Sequence, residues 1–140
     1  MDHQLKTVDI YNQYVKEYEE KFMLFDLYND TFDALLNVLP ITESILELGC
    51  GPGNVINYFL NKRKDLIITG VDLAAEMLKR GKEINPSADF ILEDIRNLNA
   101  FTKQYHAVVE LFVFHIYRTQ ILTNSFKISA DSQKKMDTCI

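Results

Sequence analysis

Hydrophobic positions change period along this chain, and each change marks an element. The rings of Tyr11, Tyr14, Tyr18, Phe22 and Phe25 recur in steps of three and four. That spacing predicts a helix from about Thr7 to Phe25 with its aromatics on one face. A second helix is predicted over Asn29 to Val38, stopped by Pro40. Ser44-Ile45-Leu46-Glu47-Leu48 is short and apolar, and Gly49-Cys50-Gly51-Pro52-Gly53 follows at once, as in a strand entering a glycine-rich turn. Helical spacing returns at Val55, Ile56, Phe59 and Leu60. A strand over Asp65–Asp72, a helix over Ala74–Ile84 and a strand over Ala88–Leu92 come next. A short helix around Asn99 to Lys103 then leads to a strand over Tyr105–Val109. Strands alternating with helices predict right-handed βαβ units in an α/β fold with a mainly parallel sheet.

Composition narrows the class. The chain has 140 residues, 47% of them apolar and 25% charged, enough for one domain with a real core. A net charge of -5 argues against a general nucleic-acid binder, which needs clustered Lys and Arg. No apolar run is long enough for a membrane span, and the first six residues lack signal-peptide character. Cys50 and Cys139 have no ligand-like spacing, so no metal or disulfide framework is expected, and a cytoplasmic setting is.

In an open parallel sheet the ligand lies beyond the carboxyl ends of the strands. Glu47, Asp72 and Asp94 fall at three such ends. The glycines let the backbone approach a ligand closely, with a helix N-terminus behind them. Asp72 follows the turn by about 20 residues, the spacing at which a carboxylate accepts from ribose hydroxyls. A dinucleotide fingerprint would need a small residue where Asn54 stands, and Glu47 would meet a pyrophosphate with like charge. A ligand bearing an ammonium and a sulfonium, with no phosphate, carries no such conflict. S-adenosylmethionine is that ligand.

Ile45 to Asn54 resembles motif I of the class I S-adenosylmethionine-dependent methyltransferases. Val71 to Leu78 resembles the acidic loop that follows it, and Asp89 to Ile95 the segment that cups the adenine. The resemblance covers about residues 40 to 109 and implies a Rossmann-like fold. It implies that Asp72 holds the ribose, that Asp94 accepts from the adenine amino group, and that Leu73 and Ile95 pack on the ring. Gly49 and Gly51 would lie against the methionine portion and Glu47 would position its charged end. Cys50 in the turn and Met77 in the acidic-loop motif complete the cofactor set. Family members also use a Tyr-rich N-terminal helix as a lid, for which Tyr14 and Tyr18 are the candidates; core packing or docking is the competing role for that face. The implied reaction is in-line methyl transfer to a small molecule, leaving S-adenosylhomocysteine. No catalytic base is compulsory and none is assigned.

The resemblance divides the chain into residues 1–40 as a helical cap, 41–109 as cofactor-binding βαβ units and 110–140 as an atypical tail. Strands five to seven of the family fold have no counterpart, so the sheet is expected to be incomplete. Its fourth strand would then be an exposed edge open to self-association. Read from the third base of each codon, Met136-Asp137 forces a glycine, and the offset frame permits family-like segments from Leu111 onward. Two expectations stand for this stretch, a deliberately short relative and a truncated product with a frame-shifted tail. Two alternatives to turnover stay open: a fragment that binds the cofactor without transfer, and an NAD(P)-binding oxidoreductase domain. The charges of Asn61 to Asp65 and His106 are read as surface groups.

Overall fold

The computed structural model describes residues 3–23, 26–97, 99 and 101–110. Helices α1 (His3–Gln13), α2 (Val15–Phe22) and α3 (Asn29–Val38) precede strand β1 (Ser44–Leu48). Then follow α4 (Asn54–Lys62), β2 (Ile67–Asp72), α5 (Ala75–Ile84), β3 (Asp89–Leu92) and β4 (Ala107–Glu110). The strands form one parallel sheet in the order β3-β2-β1-β4. Strand order reverses at β1, so the crevice expected of such sheets opens beyond its carboxyl end.

Alternation along β1 sends its residues to two cores. Ile45 joins Phe32, Leu36, Ile56, Phe59 and Ile68 on the face covered by α3 and α4. Leu46 and Leu48 join Val71 and Ile95 on the other, against which Phe101, Tyr105 and Val108 pack. Complete burial of Ile45, Leu46, Leu48, Ile56 and Phe59 favours the fold by roughly 1.5–3 kcal/mol each. Glu47 shares the face of Ile45 by parity, which puts a carboxylate where only apolar groups gain from burial.

Two expectations need correction. The long N-terminal helix is two helices, because Tyr14 leaves helical geometry (φ -113, ψ 32) between α1 and α2. Residues 101–103 are irregular rather than helical, since Phe101 and Tyr105 are drawn onto the Val71 cluster. The Asn61–Asp65 charges also do more than meet solvent. Arg63 donates to the carbonyls of Leu36, Leu39 and Pro40 at 2.6–3.1 Å, closing the carboxyl end of α3. Asp65 in turn holds Arg63 and accepts from the Thr42 N–H at 2.9 Å. Phe25, Cys139 and the apolar positions of the tail lie outside the described residues. Among the described residues β4 has no strand on its outer flank, and no helix is long and apolar enough to cross a membrane.

Candidate functional site

β1 runs directly into the glycine turn, and three left-handed residues shape it: Gly49 (φ 68), Gly51 (φ 52) and Gly53 (φ 79). A side chain at such φ costs on the order of 1–2 kcal/mol. The first part of the turn is tied to β2, as Gly49 and Cys50 both donate to the Val71 carbonyl at 2.8 and 3.0 Å. Gly53 precedes α4, and its carbonyl accepts from the buried Asn85 amide at 3.1 Å. Asn85 also accepts from Asn57 at 3.1 Å. A Cβ on Gly53 would lie 2.6 Å from the Asn85 nitrogen, so that clamp requires glycine.

Asp72 closes the other side. One carboxylate oxygen accepts from the Gly51 N–H at 2.8 Å and the other from the Ala74 N–H at 2.9 Å. Each oxygen keeps a further lone pair for an incoming donor. Burial pushes its pKa upward, against the pull of those N–H groups. Glu47 is 4% exposed, and its Oε2 has no hydrogen-bond partner. Burial first, and the Asp72 charge second, drive the Glu47 pKa well above the ordinary range. The Asn54 Oδ1 is a second buried oxygen without a partner at this turn. The Cys50 thiol is buried and likewise pushed up, so it is an inert filler whose sulfur occupies the space a Cβ on Gly70 would need.

Tyr18 completes the cluster from α2. Its ring lies 3.6 Å from where a Gly51 Cβ would stand. Burial raises its phenol to about 12, helped by Tyr11, Glu47, Asp72 and Cys50. Tyr11 meets it edge-on at 6.0 Å and Phe22 lies tilted against it at 4.6 Å.

The structure therefore brings Glu47, Gly49, Cys50, Gly51, Asp72 and Tyr18 together. Other predicted residues stand differently. Tyr14 is 47% exposed at the helix break, and Met77 is buried within the fold at 1% exposure. Leu73 is half-buried just past Asp72, whereas Ile95 is buried in the Leu46–Val71 cluster. Asp94 is gripped by its neighbour Arg96, whose Nε lies 2.8 and 2.9 Å from the two oxygens. That guanidinium holds the Asp94 pKa below the ordinary range.

No local pattern in the sequence marks the roles of Asn12, Glu19, Arg80 and Asn85, because long-range side-chain pairing leaves none. A groove of about 670 Å³ along β3, lined among others by Lys79, Lys82, Phe90 and Leu92, shares no residue with the glycine turn. No group of three or more potential metal ligands occurs among the described residues.

Residues 45–131 match the family model described as a methyltransferase domain. The match runs past residue 110 into the stretch read as atypical. A trans-aconitate 2-methyltransferase of Paracidovorax citrulli is 35% identical over 63 residues, covering 44% of this chain and 24% of the relative. A carboxy-S-adenosyl-L-methionine synthase of Campylobacter jejuni is 35% identical over 74 residues, covering 53% of this chain and 29% of the relative. The aligned stretches thus span only about a quarter of these relatives' length. The plantazolicin methyltransferase BpumL, solved with a pentazolic desmethylPZN analog and SAH, shares the fold with a TM-score of 0.61 at 20% identity. That superposition covers 87% of this chain and 54% of BpumL.

Proposed function

The chain belongs to the methyltransferase domain family, and from that premise we propose that it binds S-adenosylmethionine beyond the carboxyl ends of β1 and β2 and transfers its methyl group to a small molecule. The observation that carries this reading is the buried, partnerless Oε2 of Glu47 beside Asp72. A carboxylate so enclosed costs several kcal/mol unless a cation or donor meets it. An ammonium group of a ligand is such a partner, and a pyrophosphate is not.

Each side chain then has a task. Asp72 is held in place by the Gly51 and Ala74 N–H groups and offers its remaining lone pairs to ribose hydroxyls. Gly49 and Gly51 let the backbone approach the methionine portion. Leu73 stands beside Asp72 for the adenine ring. Asp94, paired with Arg96 in the free chain, is the acceptor for the adenine amino group; Ile95 and Met77 support the site from within the core. Tyr18 covers the turn and excludes water, and Tyr14 marks the break that aims α2. Bound, the sulfonium supplies an already activated methyl carbon, so the chain's contribution is alignment.

Cofactor binding without transfer is the alternative outcome that the experiments must separate from turnover. Calorimetry with S-adenosylhomocysteine and, separately, NADH tests the site: binding of the first alone supports it, and NADH binding overturns it. Transfer of labelled methyl to a carboxylic-acid panel then separates an enzyme from a binding module. A cytoplasmic setting accompanies this reading. Self-association through the outer flank of β4 is the further contact we propose, tested by sedimentation over a range of concentrations.

A further inference from the structure

Tyr18 reaches the glycine turn from α2, a helix that buries none of its own residues. Its apolar face, with Val15, Tyr18 and Phe22, is only half-buried, and polar contacts with α5 add to that packing. Arg80 donates from Nε to Glu19 Oε2 at 2.6 Å and from Nη2 to Oε1 at 2.8 Å. This two-pronged pairing fixes direction as well as distance. Glu83 steadies the same guanidinium through Nη1 at 2.9 Å. A second tie lies on the other side of the helix break: Asn12 of α1 accepts from the Glu76 N–H at 2.9 Å, serving an open donor in the first turn of α5. Glu19 adjoins Tyr18 in sequence, and Tyr14 separates the two ties.

We propose that the Glu19–Arg80 pair is a latch that holds α2 closed with Tyr18 over Gly51, while Asn12 keeps α1 pinned to α5. Release of the pair lets α2 move about Tyr14 and sets the rate at which the site exchanges its ligand. Glu19 and Arg80 are positioning residues, since they act through Tyr18. The inference rests on the cofactor reading for its ligand, but the latch itself does not.

The test compares the full chain with E19Q, R80Q, the double variant and R80K. Amide hydrogen exchange is followed in α2 without ligand, and S-adenosylhomocysteine dissociation by stopped flow. Each single neutral variant is expected to raise α2 exchange and to speed dissociation about two- to fivefold, the range of a partly exposed ion pair. The double variant should add nothing to either single change, the mark of one shared interaction. R80K, which keeps the charge and loses the fork, should fall between. Unchanged α2 exchange, or additive effects in the double variant, overturns the latch. Raised exchange with unchanged dissociation overturns its control of ligand exchange. If the unaltered chain binds no S-adenosylhomocysteine, the cofactor reading fails, and α2 exchange alone decides the latch.

Discussion

At the amino ends of β1 and β4 the polar side chains face one another. The Nδ1 of His106 meets the Ser44 hydroxyl at 3.0 Å and lies against the Glu43 carboxylate, and Asp65 is held by Arg63 and Thr42. At the carboxyl end of β1 Glu47 is more deeply buried, and its Oε2 has neither a hydrogen bond nor an ion pair among the described residues, whereas the Glu43 Oε2, also without a hydrogen bond, lies against the His106 ring. Both ends carry acids beside strand termini, so acidity by itself does not distinguish structure from function. The distinction is whether the fold supplies the partner. Where it does, the charge joins elements together; where it leaves one out, the site is built for something the chain does not contain.

Acids at the two ends should also respond to pH with opposite sign. Glu47 titrates above its ordinary 4.5 when folded, so the folded state keeps a proton that the unfolded chain releases. Its contribution is fully present below that ordinary value and is lost as pH rises through the raised one. Asp65 titrates below its ordinary 3.8 because of Arg63. Its contribution is present above that value and is lost as pH falls through the depressed one.

Substitutions sharpen the contrast, beginning with the largest effect. Asp72→Ala removes the acceptor of two backbone N–H groups and of the proposed ribose contacts. Calorimetry should show S-adenosylhomocysteine affinity reduced on the order of 100-fold, as expected for two hydrogen bonds to a charged group. Glu47→Gln should weaken the same ligand about tenfold, the loss of one charged contact. It should also lessen the fall in stability as pH rises above the ordinary carboxylate range, leaving the part that Asp72 contributes, as read from urea midpoints. Ligand affinity of the unaltered chain should rise over the same window, because an ammonium group favours the ionised carboxylate. If Glu47→Gln leaves both the affinity and the pH slope intact, the two ends of the sheet do not differ as argued.

The amino end should behave in the reverse manner. Arg63→Ala uncaps the carbonyls of Leu36, Leu39 and Pro40, lowering stability by about 1–2 kcal/mol. Ligand affinity should stay within twofold. His106→Ala is expected to cost less than about 1 kcal/mol, since its ring is half exposed, and should leave ligand binding untouched. A clear loss of affinity in either variant would erase the contrast.

Much of this was legible before the fold was known. Ser44–Leu48, Gly49–Gly53 and Asp72 announce themselves because local chemistry dictates them: an apolar run must pair, and a turn with three left-handed residues selects glycine. Tyr18 was legible only as one ring of a stripe. Its place over Gly51 depends on the break at Tyr14, which no residue type there foretells. Met77 and Ile95 follow the motif pattern yet lie buried, because helical and strand periodicity reports which face is inward and not how deep it sits. Asn85 left no trace, although it clamps the turn across 32 residues of chain.

The sequence by itself determined the order of strands and helices, the left-handed turn and the acids at the strand ends, since these follow from period, φ preference and spacing along the backbone. Only the tertiary structure decided which acid lacks a partner, which tyrosine covers the turn and which charges bind helix to helix. Those outcomes depend on groups distant in sequence meeting at hydrogen-bond range, and on the loss of solvent that makes a missing partner costly.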